Sequence, residues 1–368
     1  MSINEDFNQN IQMIFLKKII TIKISSIFAS TLGLFFALFF TNCSRVLMPS
    51  DVKNTPTQCF NMMWKTVDEN YSYFEYKGIN WNAIREKYAP KVNDNISQDS
   101  LYKVLADMLY ELKDGHVNLA STTDRSRNWS WKEDYPDNFN VNFVFKQYFK
   151  KDFKITGSLP NQILNDSIGY VRYSSFGNSV SDGDLDYVMN RFKDTKGIII
   201  DVRDNGGGSM STVFKIMSRF VEHKTLVGYA HTKTGKGHND FSKPIPFYAI
   251  PAKKRVPFTK PVVLLINRSC FSATTHFAGF MSILPNVTLV GDRTGGGGGI
   301  PISADLPNGW QYRFSATYQT TVDGFNIENG VPADVEISTG PKEELEGKDA
   351  IIEKGIEIII EESKKKKA

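Results

Sequence analysis

A serine at the end of an apolar run is the first candidate for covalent chemistry. Residues 262–266 (VVLLI) predict a buried strand, and the small residues after Ser272 predict the start of a helix. A strand, a polar turn and a helix start can place a serine hydroxyl at a sheet edge, beside free helix N–H groups. Serine is also a common helix N-cap, which requires no reaction. The spacing alone therefore leaves Ser272 open as a nucleophile.

Histidine is the side chain best suited to accept a serine proton near neutral pH, provided that its ring is oriented. His116 follows a predicted helix that ends near Lys113, a position where a capping or surface histidine is also common. His276 lies four residues beyond Ser272, one helical turn along, where it could approach the hydroxyl or cover the helix face. The other histidines, at 223, 231 and 238, do not have zinc-site spacing, so we predict no metal.

A second strand, residues 197–202, runs into a turn with three consecutive glycines, 206–208. Glycine can adopt positive φ and turn its N–H toward a ligand, as an oxyanion site requires. A plain strand-to-helix loop would have a similar composition. Glycines 295–299 lack the lysine and hydroxyl that follow in a phosphate loop, and we interpret them as a flexible wall of a cleft.

Taken together and in order, these segments resemble the tail-specific (C-terminal-processing) serine proteases and the related tricorn core protease. The resemblance spans about two thirds of the chain, and its motifs are His116, IGYVRYSSF at 168–176, Asp201-x-Arg203-x-Asn205-x-Gly207-Gly208, Ser272-Ala273, GDRTGG at 291–296 and ENGVPAD at 328–334.

The resemblance also separates two catalytic designs within the family. The position where one branch carries a lysine base falls on Gly297, whereas His116 and Glu328 match the histidine and glutamate of the tricorn-like branch. The resemblance thus implies Ser272 as nucleophile, His116 as general base and then acid, and Glu328 as a supporting carboxylate. It further implies that the Gly207 and Ala273 N–H groups hold the oxyanion, with no cofactor.

Two positions depart from that pattern. Thr275 stands where many relatives have glutamate, and Gly115 where the tricorn protease has a serine.

The resemblance implies an α/β fold, with a crotonase-like (ClpP-like) catalytic core preceded by a small helical bundle. Apolar residues at helical spacing from Val52 to Leu112 also favour the helical bundle. Only 51 residues separate His116 from Ile168, too few for a complete PDZ domain, so we expect none. The expected segments are a signal peptide (1–42), a tether (43–51), an N-terminal helical subdomain (52–119), an aromatic-rich connecting segment (120–166), the catalytic core (167–362) and a basic tail (363–368).

The N-terminus predicts where this chemistry takes place. Lysines precede an apolar stretch, residues 24–40, that ends at Cys43 in the layout of a bacterial lipoprotein signal. We expect cleavage before Cys43, lipidation of that cysteine, and a lipid-anchored protein of the bacterial cell envelope, in the periplasm or on the cell surface; an uncleaved anchor is the alternative. Met13 is an alternative start. Cys59 and Cys270 should then be free and buried.

Composition is less informative. The formal net charge is +4, and the four lysines of the tail at 364–367 alone carry four positive charges. No pattern of basic and aromatic residues favours nucleic-acid binding. The leading hypothesis is an envelope serine peptidase acting on peptides or unfolded proteins. The alternatives are a non-catalytic peptide- or ligand-binding protein on the same scaffold, and a lipase or esterase, although Ser272 lacks the Gly-x-Ser-x-Gly elbow. The sequence does not indicate an oligomeric state.

Overall fold

The computed structural model describes residues 53–127, 129, 135 and 137–365. Its helices are α1 (Pro56–Asn70), α2 (Phe74–Lys77), α3 (Trp81–Tyr88), α4 (Gln98–Tyr110), α5 (Val141–Tyr148), α6 (Asp182–Arg191), α7 (Met210–Met217), α8 (Ala273–Met281), α9 (Pro341–Leu345) and α10 (Ala350–Lys365), with 3₁₀ turns at Ala89–Lys91 and Ile327–Asn329. The expected signal peptide, Cys43 and the tether lie outside the described residues.

The strands are β1 (Asn118–Ala120), β2 (Lys154–Thr156), β3 (Leu159–Leu164), β4 (Ile168–Arg172), β5 (Gly197–Asp201), β6 (Thr225–Thr232), β7 (Ile245–Ala249), β8 (Val262–Ile266), β9 (Val287–Gly291), β10 (Pro301–Asp305), β11 (Gln311–Ser315), β12 (Thr317–Thr320) and β13 (Val335–Glu336).

Seven of these strands form a central mixed sheet in the order β13-β9-β8-β5-β4-β3-β2. The five strands from β13 to β4 are parallel, and β3 and β2 are antiparallel additions. Every residue of β5 and β8 is buried, which explains the apolar runs at 198–200 and 262–266: both faces of a parallel sheet are covered. The fold is thus α/β, as expected.

Alternate residues of the central strands belong to two different hydrophobic clusters, one on each face of the sheet. Ile198 and Ile200 of β5 pack with α7 and α8, while Ile199 packs on the opposite face with the isoleucines of α10. This alternation follows from the two-residue period of a strand. The carboxyl ends of the parallel strands remain uncovered by these helices, so the loops that follow β5 and β8 are available for a site.

The sheet begins earlier in the chain than the expected core boundary at residue 167. Strands β2 and β3 come from the segment that we interpreted as a connector, and β3 pairs with β4 from Asn161↔Val171 to Leu164↔Ile168. The sequence analysis did not predict strand β3 because its sequence, LPNQIL, mixes polar and apolar residues.

The N-terminal helical module, defined here as residues 55–112, packs on a second, antiparallel sheet of order β1-β11-β10. Tyr71, Phe74 and Trp81 of the module are buried in one cluster with Tyr312 and Phe314 of β11. These aromatic residues therefore serve packing, and they attach the module to the part of the chain that follows Ser272.

The Asp-x-Arg-x-Asn segment after β5 anchors the C-terminal helix. The Arg203 guanidinium is fully buried and donates to both oxygens of Asp201 and to Asp349 Oδ2. Asp349 in turn accepts the first N–H groups of α10, from Ile351 and Ile352. A conspicuous part of the family pattern is thus structural rather than chemical.

Two further expectations concern cysteine and the membrane. Cys59 and Cys270 are buried free thiols, as predicted. Within residues 53–365, as far as the structure describes them, no helix combines the length and apolar character needed to cross a membrane.

Candidate active site

The loops after β5 and β8 meet because these two strands are parallel neighbours, with Asp201 paired to Leu265. A Cβ placed on Gly207 would lie 2.6 Å from Phe271 O, 2.8 Å from Ser272 Cβ and 2.9 Å from Ala273 N. Gly207 also has φ +98°. The backbone of one loop therefore approaches the nucleophile turn so closely that only glycine fits.

Ser272 has an unusual backbone conformation. Its φ of 57° and ψ of −121° lie outside the regions that non-glycine residues favour. Such conformations cost about 1–3 kcal/mol and are concentrated at functional sites. The same sharp strand-to-helix turn holds the serine of a nucleophile elbow, although the flanking sequence differs. Ser272 N donates to Gly296 O at 2.9 Å, which helps to hold the turn.

His116 lies in the loop between α4 and β1. Strand β1 starts two residues later, and its Asn118 pairs with Arg313 of β11, so the loop is fixed at one end by a sheet. The His116 ring packs against Phe271 with 4.8 Å between ring centroids. The structure brings His116 Nε2 to 3.0 Å from Ser272 Oγ. Among the described residues, Nδ1 has no hydrogen-bond partner, and neighbouring Gly115 offers no hydroxyl to it.

The electrostatic environment keeps the imidazole neutral. Burial lowers the pKa of His116 to about 4, against the opposing influence of Asp114. Arg313, His276 and Lys77 add to the lowering. A neutral imidazole at physiological pH can accept a proton, so the ring is in the state that a general base needs.

Asp114 is a carboxylate that the sequence interpretation missed. Its Oδ1 accepts the His116 backbone N–H at 2.8 Å, and its Oδ2 accepts the Ser315 hydroxyl at 2.9 Å. Burial alone would raise the pKa of Asp114, but Lys77 and His116 outweigh it, and the net shift is downward. Among the influences on His116, Asp114 is the leading one that favours the protonated ring.

Glu328 lies in the 3₁₀ turn Ile327–Asn329 and is buried. Its Oε1 accepts from Lys77 Nζ at 2.7 Å, and its Oε2 accepts from Gly298 N at 2.9 Å. Burial and then Asp114 raise the pKa of Glu328 to about 7, although Lys77 opposes the shift. The carboxylate is thus bonded to a lysine and to the glycine loop, rather than to the His116 ring.

The glycine loop, residues 295–299, is held against Glu328 and Phe271. Gly297 N donates to Glu328 O at 3.1 Å. A Cβ on Gly297, which has φ +75°, would lie 2.4 Å from the Phe271 ring. The position that corresponds to the lysine base of the other branch therefore has no room for a side chain here.

The two expected oxyanion donors both lie beside Ser272, but they differ in availability. Ala273 is the first residue of α8, where an N–H has no acceptor within the helix. The Gly207 N–H donates to Asn205 Oδ1 at 3.0 Å. Asn205 Oδ1 also accepts from Phe176 N and from the Thr274 hydroxyl, so this amide organises the turn.

His276 is placed differently from His116. Its Nδ1 contacts the Ser272 backbone oxygen at 2.9 Å, and its ring is buried, which lowers its pKa. The ring therefore covers the helix and contacts Ser272 through the main chain. Thr275, which replaces the family glutamate, is buried and donates to the Thr294 hydroxyl at 3.1 Å.

A polar cavity of about 250 Å³ opens next to Gly115, Phe271 and Glu328. Three cationic side chains line it, from Lys113, Arg268 and Arg293. Asp292 lies 3.5 Å from the Arg268 guanidinium. The lining is therefore mainly cationic, which favours a negatively charged group of a ligand. Within the described part of the chain, no cluster of histidine, cysteine or acidic residues could hold a metal ion.

Comparison with known proteins identifies domains and chains that are similar to this one. Residues 167–337 match the profile of Peptidase family S41, and residues 53–110 match that of the Tricorn protease C1 domain. A solved structure of a candidate peptidase from Parabacteroides merdae is 43% identical, with a TM-score of 0.80 over 83% of this chain and 97% of that one. The chain belongs to peptidase family S41.

The S41 chain is also similar to two characterised proteases. It is 25% identical over 176 residues to carboxy-terminal processing protease CtpA of Bacillus subtilis, covering 48% of this chain and 36% of that protein. It is 31% identical over 174 residues to the tricorn protease of Thermoplasma acidophilum, covering 45% of this chain and 14% of that protein. The S41 chain thus spans about a third or less of the length of these relatives.

Proposed function

We propose that this S41 chain is a serine peptidase that hydrolyses peptide bonds through an acyl-enzyme. The observation that carries the proposal is the 3.0 Å contact between His116 Nε2 and Ser272 Oγ, made by a neutral imidazole and a serine on a strained turn. Nucleophile and base within hydrogen-bond reach are the geometric signature of nucleophilic catalysis. Backbone strain occurs at ligand clamps as well as at active sites, so it is the histidine contact that favours the peptidase over the binding-protein alternative.

In the proposed reaction, His116 Nε2 takes the hydroxyl proton as Ser272 Oγ attacks the peptide carbonyl carbon. The imidazolium then gives that proton to the departing amine nitrogen, which leaves an acyl ester on Ser272. Water, activated by the same imidazole, hydrolyses the ester. Asp114 stabilises the imidazolium through its charge, and the pair of Glu328 with Lys77 supports the surrounding network.

The tetrahedral oxyanion would be held by the Ala273 N–H. The Gly207 N–H would serve as the second donor by sharing its proton between the oxyanion and Asn205. An oxyanion donor typically contributes about 2.7–4 kcal/mol of transition-state stabilisation. The crotonase-like assignment of the core and the helical-bundle assignment of the module belong to the same proposal, since they rest on the family resemblance.

The cationic cavity indicates the part of a peptide that this site would prefer. Gly115 lines the cavity and directly precedes His116, the proposed donor to the leaving amine, so we place the cavity on the leaving-group side. A peptide carboxylate bound by Lys113 and Arg293 would place the chain end a short distance beyond the cleaved bond. We therefore favour processing near a carboxyl end, which the name of the B. subtilis relative also suggests.

The cellular location remains a proposal from the N-terminal sequence: lipidation at Cys43 and attachment to the bacterial envelope. Metabolic labelling with a fatty-acid analogue tests it, because label should enter the wild-type protein and be absent from Cys43→Ser. Equal labelling of both proteins would contradict it.

The peptidase proposal is tested by incubating residues 44–368 with a diverse peptide mixture and reading new termini by mass spectrometry. Cleavage by the wild type that is lost in Ser272→Ala and in His116→Ala supports the proposal. Cleavage that persists in His116→Ala would exclude the assigned base, and His276→Ala would then be the next variant. Absence of cleavage by the wild type, with intact fold, would favour the binding-protein alternative.

A further inference from the structure

Lys77 is a buried lysine in the active-site region that the proposed chemistry does not yet require. It ends the four-residue helix α2, within the N-terminal helical module, and its side chain is only 8% exposed. Lysine is rarely buried without a compensating charge, since removing an ammonium from water is costly. Its position therefore calls for a physical explanation.

The ammonium makes two short contacts that reach different loops. One is the ion pair with Glu328 Oε1 at 2.7 Å, and the other is a hydrogen bond to Lys113 O at 2.8 Å. It also lies 5.3 Å from the centre of the Tyr73 ring. One cation from the helical module thus contacts both the glutamate turn and the loop that carries His116.

Further hydrogen bonds and backbone links connect each of these two contacts to one of the proposed reacting residues. From Glu328, hydrogen bonds lead to the glycine loop, and Gly296 O accepts the Ser272 N–H at 2.9 Å. From Lys113, which has a left-handed φ of 46°, the chain continues to Asp114, which accepts the His116 N–H at 2.8 Å. Lys77 therefore stands between the segment that holds the nucleophile and the segment that holds the base.

We propose that Lys77 is a positioning residue of the peptidase site: its ammonium joins the His116 loop to Glu328 and so fixes the distance between base and nucleophile. The inference rests on the proposed peptidase function. It also gives the helical module a part in catalysis, because the module supplies the cation without touching the substrate or the reacting atoms.

The charge of Lys77 has an effect that its packing alone would not have. The charged and titratable groups that face His116 are Asp114, Arg313, His276 and Lys77. Those that face Glu328 include Asp114 and Lys77, with Tyr73 and Tyr76 close by. Removing the cation takes away one influence that lowers the pKa of His116 and one that lowers the pKa of Glu328. The first change moves the acid limb of activity, which the titration of His116 sets, to higher pH, and the second keeps the Glu328 carboxyl neutral over a wider pH range.

The first experiment compares Lys77→Met, Lys77→Gln and Lys77→Arg with the wild type, using kcat and KM on a cleaved peptide over a range of pH. We expect kcat of Lys77→Met to fall about 10- to 100-fold, since a displacement of about 1 Å can cost that much, with KM within about twofold. The acid limb should move to measurably higher pH, because Lys77 is one of the cations that lower the pKa of His116. Lys77→Arg should retain most of the activity. Lys87→Met is the matched control, because Lys87 is 57% exposed in the same module.

Lys77→Gln keeps hydrogen-bond donors without the charge, so it tests the proposal even where Lys77→Met does not fold. An acid limb unchanged from the wild type in both uncharged variants would overturn the proposal. Equal losses in Lys77→Arg and Lys77→Met, with an unshifted acid limb, would also overturn it and would leave only a packing role.

A double-mutant cycle with Glu328→Gln tests the route of the effect. If Lys77 acts partly through Glu328, Lys77→Met should cost clearly less in the Glu328→Gln background than in the wild type. Full additivity of the two losses would contradict the proposed connection.

Failure of the peptidase function is separated from failure of this inference by a fluorophosphonate reagent, which forms a bond to Ser272 Oγ and releases fluoride. If the wild type cleaves no peptide but labels at Ser272 and not in Ser272→Ala, the labelling rates of the Lys77 variants still report the alignment of base and nucleophile. Equal labelling rates in wild type and Lys77→Met would overturn the inference.

Discussion

Replacement of Asp114 by asparagine is the most direct test of how the base is supported. The change removes one charge while keeping size and polarity, and the amide oxygen can still accept the His116 N–H that Asp114 Oδ1 accepts at 2.8 Å. The Ser315 hydroxyl can rotate to accept from the new amide. We therefore expect Asp114→Asn to fold, with a small change in thermal stability.

The expected loss of activity follows from the imidazolium that forms during the reaction. An opposite charge within about 4–6 Å shifts a pKa by about 1–3 units, and one unit corresponds to 1.36 kcal/mol. Losing the Asp114 charge should therefore destabilise the imidazolium by about 1.4–4 kcal/mol. This corresponds to a fall in kcat of about 10- to 1,000-fold, with KM nearly unchanged.

The pH profile gives the sign of the effect. Asp114 raises the pKa of His116, which burial lowers to about 4 overall, so its loss moves the acid limb to still lower pH. A fluorogenic peptide derived from the mapped cleavage site gives kcat and KM across that range. Asp107→Asn, on the exposed face of α4, is the matched control. Wild-type kcat in Asp114→Asn, or an acid limb that moves upward, would refute the electrostatic role.

Three further outcomes are expected. The acid limb of wild-type kcat/KM should lie near pH 4, because His116 titrates there, and a limb near 6.5 in a pH–rate profile would contradict its burial. Gly207→Ala should lower kcat/KM by more than about 100-fold in a folded protein, because its Cβ would lie 2.6 Å from Phe271 O; near-normal kinetics would contradict that contact. Arg203→Met should cost about 3–5 kcal/mol in urea unfolding, since it leaves the buried Asp349 without this cation and Asp201 with only the more distant Arg172 at 3.7 Å; a loss below about 1 kcal/mol would show that the network relaxes.

The sequence predicted the α/β class and the strands that support the site, because residues 198–200 and 262–266 are runs of aliphatic side chains. It could not show that these strands are parallel neighbours, which is what brings Gly207 to Ser272. The approach of His116 to Ser272 is likewise a tertiary result, since 156 positions separate them. Both contacts depend on strand order, and strand order leaves no local pattern.

Two residues whose roles the sequence analysis did not predict, Asp114 and Asn205, did have a signal in the local sequence. Asparagine and aspartate often accept an N–H two residues further along the chain. Asp114 does so with His116, and Asn205 does so with Gly207, so both could have been predicted from spacing. Lys77 had no such signal, because its partners Glu328 and Lys113 lie 251 and 36 positions away, and only the packing of the helical module brings them together.

The order of the site residues along the chain has a consequence for biosynthesis. Lys77 and His116 are made first, Ser272 next, and Ser315 and Glu328 only near the end, so a chain still attached to the ribosome holds the base without its full supporting network. The hydrogen bond from Ser272 N to Gly296 O needs a residue that is synthesised 24 positions later, so it cannot form in a shorter chain. Chains that end before residue 296 should therefore lack the proposed peptidase activity, so the order of translation itself delays that activity.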